Sequence, residues 1–328
     1  MADPEVATKA PESDAAEATQ PATSSDTPAQ TNPTMGEHCT SDRPTPTGQS
    51  STGEITQLGG VDVYISKPSE YPHAPARLLL LLTGGTGVKS VNNQIQADKF
   101  ASEGFVVVMP DLFGGDAAPN ASTTSEGEDA EPASPSLLEQ FKLKAAEAAK
   151  SFLIDMWLAR HTQEKVMPIL HKVIDACKEE FADAVSNGDG IYAVGYCFGG
   201  RYILLLASEK EQEQGWAQPQ PDEEAGTIRK GPFIKVGALA HATLVSPDDF
   251  EGLKAPINMV CVENDPLFPD EVRKAGEDYL SKNNVDHQVK VYPHVPHGFA
   301  VVGEYEDAAI RAAQATAFDQ MLQWLKDH

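Results

Sequence analysis

The sequence has little cysteine, no long apolar run and few basic residues. Its four cysteines, Cys39, Cys177, Cys197 and Cys261, include no C-x-x-C pair, so no dense disulfide framework of the secreted type is expected. The longest aliphatic run, Leu78–Leu82, is far too short to span a bilayer, and the N-terminus lacks a basic and apolar leader. These absences predict a cytoplasmic protein with no membrane partner.

The shortage of basic residues gives the chain a strongly negative charge. There are 25 Lys and Arg residues against 49 Asp and Glu residues, a formal net charge of -24, which repels phosphate backbones and excludes nucleic acid as an expected partner. More than half of this charge falls in three segments, 1–34, 116–135 and 209–231. We therefore expect a disordered tail over 1–34 and a folded domain over 35–328 with flexible, solvated insertions near 116–135 and 209–231.

The rest of the chain alternates short aliphatic runs with stretches of helical periodicity. This alternation predicts the α/β class, with a mostly parallel central sheet and helices on both faces. One predicted helix carries its apolar stripe from Val166 to Phe181, and another from Phe318 to Leu325. The predicted strands are Val61–Ile65, Leu78–Leu82, Phe105–Met109, Gly190–Gly195, Val236–Ala240, Ile257–Val262 and Gln288–Tyr292.

The strongest local signal for chemistry is Gly195-Tyr196-Cys197-Phe198-Gly199, where an apolar strand runs through glycines into an aliphatic helix. Such a nucleophile elbow forces the residue at its tip into a strained backbone conformation, and side chains at the flanking glycines would collide with neighbouring backbone. The start of the following helix also favours the thiolate of Cys197, the form that attacks. The alternative interpretation is a small buried cysteine in a tight turn.

An acid and a histidine downstream favour the first interpretation. Asp265 follows the strand Ile257–Val262, and His297 lies in the loop before the final helix. The order nucleophile, acid, histidine at successive strand ends is the order of a hydrolase triad on this class of sheet. His297 would act as the general base and Asp265 would orient its imidazole, while His294 is the one rival to His297.

Together these segments resemble the dienelactone hydrolase (carboxymethylenebutenolidase) family of α/β-hydrolases, particularly its fungal branch. The resemblance rests on the elbow, on Asn264-Asp265-Pro266-Leu267-Phe268 and on His297-Gly298-Phe299-Ala300, supported by Pro110-Asp111-Leu112-Phe113 and His38-Cys39. It implies the α/β-hydrolase fold and a Cys197, His297, Asp265 triad that opens lactones or cleaves esters through a thioester. It also implies an oxyanion hole made by the backbone N–H groups of Phe198 and Gly85.

Two departures from the family pattern bear on the substrate. The family carboxylate of the early loop is replaced by Gly84, and the arginines that hold a substrate carboxylate in bacterial members have no counterpart in the aligned motifs. A neutral lactone, enol ester or activated ester is therefore the expected substrate. We expect its pocket to include five residues, Gly84, Thr86, Tyr196, His241 and Phe299.

The resulting prediction is a cofactor-free carboxylic ester hydrolase, a monomer or homodimer, whose partner is a small-molecule substrate. Arg201 is expected to form a structural ion pair, and Cys177 and Cys261 to be packing residues. No metal site is expected, because His38-Cys39 is a lone pair without further ligand spacing. Two alternatives stay open: a weak or inactive ligand-binding homologue, and an acyl-transfer or cyclisation enzyme of a secondary pathway that uses the same triad.

Overall fold

Eight strands form one sheet in the computed structural model, which describes residues 40–119, 149, 151–212 and 229–328. The strands of this sheet are β1 (Glu54–Leu58), β2 (Val61–Ser66), β3 (Arg77–Leu82), β4 (Phe105–Pro110), β5 (Ile191–Tyr196), β8 (Val236–Ala240), β9 (Ile257–Val262) and β10 (His287–Tyr292). A separate antiparallel pair joins β6 (Glu211–Gln212) to β7 (Arg229–Lys230).

Besides the helical stretch 151–160, six α-helices accompany the sheet in the described part of the chain. They are α1 (Val91–Ser102), α2 (Gln163–Glu180), α3 (Ala182–Asn187), α4 (Phe198–Ala207), α5 (Asp270–Lys282) and α6 (Ala308–Asp327). Residues 151–160 are also helical, and Pro247–Phe250 form a 3-10 turn. Within the described part of the chain, no helix is both long and apolar enough to cross a bilayer.

The strand order is β1-β2-β4-β3-β5-β8-β9-β10, and the sheet is parallel from β4 to β10. Only β1 and β2, at one edge, pair antiparallel with their neighbours. The mostly parallel sheet predicted from the alternation of strands and helices is therefore confirmed. All seven predicted strands are present, with ends within one residue of the prediction, whereas β1 and α1 were not predicted.

One hydrophobic core lies on each face of the sheet. Side chains alternate between the faces along β3, so that Leu78, Leu80 and Leu82 enter one core and Leu79 and Leu81 enter the other. This double burial explains an uninterrupted run of five leucines in a central parallel strand. Helices α2 and α4 contribute to the first core and α1 and α6 to the second, so the helices cover both faces as expected.

Several sequence-based predictions lie outside the described residues. They are the tail 1–34, most of the insertions 116–135 and 209–231, and the pair His38-Cys39. The domain boundary at residue 35 stays a prediction for the same reason.

Candidate active site

A sharp turn between β5 and α4 carries Cys197 at its tip. The backbone of Cys197 has φ 50° and ψ -115°, a conformation that costs free energy in a residue other than glycine. The turn needs glycine on both sides, because a Cβ at Gly195 would lie 2.6 Å from the Gly199 carbonyl oxygen and one at Gly199 would overlap the backbone of Leu82. The geometry is that of the predicted elbow.

Backbone hydrogen bonds fix Cys197 to the neighbouring strand. Its N–H donates to the Ala240 carbonyl oxygen at 3.1 Å, and its own carbonyl oxygen accepts from the Thr243 N–H at 3.1 Å. The residue is 3 % exposed. Because Cys197 is the N-cap of α4, its sulfur lies at the positive end of a helix, which favours the thiolate.

His297 and Asp265 form a buried pair beside this turn. Nδ1 of His297 lies 2.7 Å from Oδ2 of Asp265, and Oδ1 of Asp265 accepts a hydrogen bond from the Leu267 N–H at 3.0 Å. Both side chains are buried. Asp265 follows the carboxyl end of β9 and His297 the carboxyl end of β10, so the parallel sheet brings both side chains to the edge where Cys197 lies.

The charge of His297 is set by its neighbours. Burial lowers the pKa of the imidazole, but the hydrogen bond with Asp265 and the interaction with the Cys197 side chain outweigh burial and raise it to about 9. Since Asp265 occupies Nδ1, the nitrogen available to Cys197 is Nε2. The three residues therefore place a carboxylate, a protonated imidazole and the sulfur of Cys197 next to one another.

A glycine-rich loop after β3 faces the same cysteine. A Cβ at Gly84 would lie 3.1 Å from the Cys197 Cβ, so this loop touches the sulfur-bearing side chain directly. The loop is held in place by the hydrogen bond from the Gly199 N–H to the Thr83 carbonyl oxygen at 3.0 Å. Among the described residues, the N–H groups of Phe198 and Gly85 donate to no acceptor, so both are available to an oxyanion.

A narrow pocket opens on Cys197, with a cavity volume of about 40 Å³. Of the five predicted pocket residues, Gly84, Thr86 and His241 line it. The prediction is wrong for Tyr196 and Phe299, which are buried in the core with ring centroids 6.0 and 6.2 Å from that of His241. The residues that line it are Ser41, Asp42, Arg43, Gly84, Thr86, Asn93, Cys197, His241, Gly298, Val301, Val302 and Tyr305.

Three of these residues, Ser41, Asp42 and Arg43, come from the beginning of the described chain and were not predicted. We call residues 40–48 the strap. Oδ1 of Asp42 accepts a hydrogen bond from the Ser90 hydroxyl at 2.9 Å, and the Arg43 guanidinium lies over the Tyr305 ring at 4.5 Å from its centroid. No motif in the sequence marks the strap as a pocket wall; its one signal is the support that neighbouring His38-Cys39 lend to the family resemblance.

The remaining sequence candidates lie away from the pocket. Arg201 forms the expected ion pair, with Nε 3.0 Å from Oδ2 of Asp249, and His294 is exposed. Burial raises the thiol pKa of Cys177 and of Cys261 to about 12, as expected for packing residues. In the described ranges, no group of three or more His, Cys, Asp or Glu side chains is placed to hold a metal ion.

Comparison with solved structures shows the fold. A thermophilic esterase from Thermogutta terrifontis aligns with a TM-score of 0.54 at 15 % identity, covering 83 % of this chain and 92 % of the esterase. A dienelactone hydrolase-like promiscuous phosphotriesterase from metagenomic libraries aligns with a TM-score of 0.53 at 15 % identity, covering 85 % and 99 % of the two chains.

Comparison of sequences shows the family. The hydrolase pyvD of Aspergillus violaceofuscus is 27 % identical over 276 residues, which cover 84 % of this chain and 90 % of the relative. The protein named dienlactone hydrolase 1 of Gibberella moniliformis is 27 % identical over 274 residues, covering 84 % and 87 %. The model of the dienelactone hydrolase family matches residues 61–328. With its elbow, its mostly parallel sheet and this match, the chain belongs to the dienelactone hydrolase family and is a hydrolase with the α/β-hydrolase fold.

Proposed function

We propose that the protein opens a small neutral lactone or cleaves an activated or enol ester through a thioester on Cys197. The observation that carries this proposal is the cysteine at the strained elbow, next to a histidine that is hydrogen bonded to Asp265 at 2.7 Å. A thiol at a helix N-terminus, with an oriented imidazole beside it, is an activated nucleophile.

In the first half of the reaction, the Cys197 thiolate attacks the carbonyl carbon and the carbonyl oxygen becomes an oxyanion. The N–H groups of Phe198 and Gly85 donate to that oxygen; one such donor is worth about 2.7–4 kcal/mol in the transition state. As the tetrahedral intermediate collapses, the C–O bond breaks, and protonated His297 gives its proton to the departing oxygen. With a lactone, this oxygen stays tethered to the acyl group.

In the second half, water replaces the leaving group. Neutral His297 takes a proton from the water molecule as its oxygen attacks the thioester carbonyl, and Asp265 stabilises the imidazolium that forms. The C–S bond then breaks, which regenerates the Cys197 thiolate beside protonated His297 and releases a carboxylic acid. An alcohol in place of water would give a new ester, so an added alcohol acceptor tests for acyl transfer.

The test is a panel of aryl esters, enol lactones and saturated lactones with wild type and three variants. We expect Cys197→Ala and His297→Ala each to lower kcat by at least ~10³, because residues of a triad act as a unit. Asp265→Asn should also lower kcat severely, but by a smaller factor than Cys197→Ala or His297→Ala. Mass spectrometry of quenched wild type should find the acyl group on Cys197.

The matched control is Cys261→Ala, which removes a buried cysteine at β9, outside the pocket. It should retain wild-type kcat even where packing loss lowers its Tm. Normal turnover by Cys197→Ala would reject the cysteine nucleophile, and failure of wild type on the whole panel would favour the ligand-binding alternative.

A further inference from the structure

His241 is a second histidine held against the reacting groups. It is the first residue after β8 and has φ 37°, a left-handed backbone conformation that side-chain-bearing residues adopt rarely. Its N–H donates to the Val260 carbonyl oxygen at 2.8 Å, and the preceding residue, Ala240, accepts the hydrogen bond from the Cys197 N–H. The position of His241 is therefore tied directly to that of the nucleophile.

The imidazole of His241 is fully buried, and it lines the pocket beside Cys197 and Gly84. Its ring packs edge-on against the ring of His297, with centroids 5.0 Å apart. Neither ring nitrogen of His241 has a hydrogen-bond partner among the described residues. Buried polar atoms are nearly always paired, so two orphaned nitrogens on one pocket-lining ring point to a group that is supplied by a ligand.

The ring of His241 is neutral in this setting. Burial lowers its pKa well below the ordinary value of 6.5, and the neighbouring charge of His297 lowers it further. A neutral imidazole presents one N–H donor and one nitrogen acceptor. A hydroxyl group can donate to the acceptor nitrogen or accept from the N–H, whichever of the two faces the pocket, whereas a carbonyl, carboxylate or ether oxygen can pair only with the N–H.

We propose that His241 hydrogen bonds a hydroxyl group of the substrate, alcoholic, enolic or phenolic, close to the ester bond that reacts. This inference rests on the proposed function and adds the substrate class: hydroxyl-bearing esters or lactones are preferred to their methyl ethers. A site built to pair with a hydroxyl rejects an analogue that leaves its buried polar groups unpaired. His241 is thus a specificity-determining residue that touches substrate, separate from the proton transfers of His297.

The test uses matched 4-nitrophenyl esters of small acids. The hydroxyl-bearing esters are the glycolate and the 3-hydroxypropionate, each compared with its methyl ether. In 4-nitrophenyl propionate a methyl group takes the place of the hydroxyl group of the glycolate. Each kcat/KM is divided by the rate constant for hydrolysis by hydroxide, which removes differences in intrinsic reactivity. Wild type should prefer at least one hydroxyl-bearing ester to its ether by tenfold or more.

Three variants then test whether this preference depends on His241. His241→Phe keeps a ring but removes both nitrogens and should abolish the preference, so that the ratio of kcat/KM for each hydroxyl-bearing ester to that for its methyl ether falls to about one. His241→Asn keeps a donor and an acceptor and should retain part of it, and His241→Ala decides the matter if the Phe variant does not fold. His171→Asn, which removes a buried histidine on α2, is the matched control and should keep the full preference.

The outcomes separate this inference from the proposed function. If wild type hydrolyses all the esters without a hydroxyl preference, or if His241→Phe and His241→Ala keep it, the inference is wrong and the proposed function stands. If wild type hydrolyses none of these esters but turns over another member of the panel of esters and lactones, the inference is wrong and the proposed function stands; if it turns over no compound of either set, both are wrong.

Discussion

Asp265 and Cys197 hold the proton of the His297 imidazole in place. Its pKa of about 9 means that the imidazole carries its proton at neutral pH and loses it as the pH rises through about 9. That proton is the one the departing oxygen receives in the proposed reaction. A leaving group that departs easily as an anion does not need it, whereas an alkoxide does.

The pH dependence should therefore differ between two leaving groups. We expect kcat/KM for a methyl ester to fall as the pH rises through about 9, because protonated His297 disappears. The 4-nitrophenyl ester of the same acid should show no such fall. Circular dichroism at each pH checks that the protein is folded, and equal declines for both esters would contradict this role of the His297 proton.

Gly84 is a second residue in direct contact with the proposed reaction centre, because it packs against Cys197. A methyl group at this position would lie 3.1 Å from the Cys197 Cβ, close enough to push one of the two residues aside. We expect Gly84→Ala to lower kcat roughly tenfold, since a misplacement of one ångström can cost about a hundredfold. Tm should change little, because the hydrogen bond from the Gly87 N–H to the residue 84 carbonyl oxygen remains. Unchanged kcat in the folded variant would show that Cys197 tolerates the displacement.

Among the segments that line the pocket, the strap has the weakest signal in the sequence. It nevertheless makes several hydrogen bonds with other elements of the fold. Besides Asp42 and Arg43, Thr45 donates to the Asn92 side chain at 2.8 Å, and the Pro44 carbonyl oxygen accepts from the Glu304 N–H at 2.8 Å. These bonds join the strap to the start of α1 and to the loop before α6.

Two truncations separate the strap from the predicted tail. Deleting residues 1–34 should leave Tm nearly unchanged, because that segment has no aromatic residue and little apolar surface to bury. Deleting residues 1–48 should lower Tm by at least about 4 °C, since roughly 1 kcal/mol shifts Tm by 2–4 °C in a domain of this size. It should also raise KM, because one wall of the pocket is lost. Equal melting temperatures for the two truncations would show that the strap contributes no stability.

The central strands of the sheet could be predicted from sequence because parallel strands are buried on both faces and are therefore largely apolar, as β4 is throughout and β3 is after Arg77. The same reasoning could not find β1, an edge strand whose first four residues are exposed. Nor could it find α1, where Asn92, Asn93 and Gln96 are buried and hydrogen bonded. Polar residues that are buried through tertiary contacts erase the periodicity that predicts a helix.

The residues of the candidate site also fall into those that the sequence could predict and those that it could not. Cys197, Asp265 and His297 could be singled out because a strand end and a short motif mark each position, and their catalytic roles stay predictions. The strap could not, since Arg43 reaches Tyr305 across 262 positions of sequence, a contact that only the folded chain defines. A pocket wall made from distant segments leaves no local pattern.

The net charge of the whole chain affects which substrates approach the pocket, and the charges of its lining affect which of them enter. The formal net charge of -24 slows the approach of anions, an effect that salt screens over about 8–10 Å. Inside the pocket, the described lining residues include one base, Arg43, and one acid, Asp42, beside each other in the strap. Their charges offset one another, so the pocket wall offers no net attraction to an anionic substrate.

Neutral substrates should consequently be favoured. Between a carboxylate-bearing lactone and its methyl ester, we expect the methyl ester to have the higher kcat/KM by tenfold or more, which corresponds to about 1.4 kcal/mol. Raising the ionic strength should bring the two kcat/KM values closer together, because screening speeds the approach of the anionic lactone. The kcat/KM of the methyl ester should change little. A primary amide of similar size controls for steric differences and should behave as the methyl ester does. A clear preference for the free acid that disappears in Arg43→Met would instead identify Arg43 as a carboxylate-binding residue, and the expectation of a neutral substrate would be wrong.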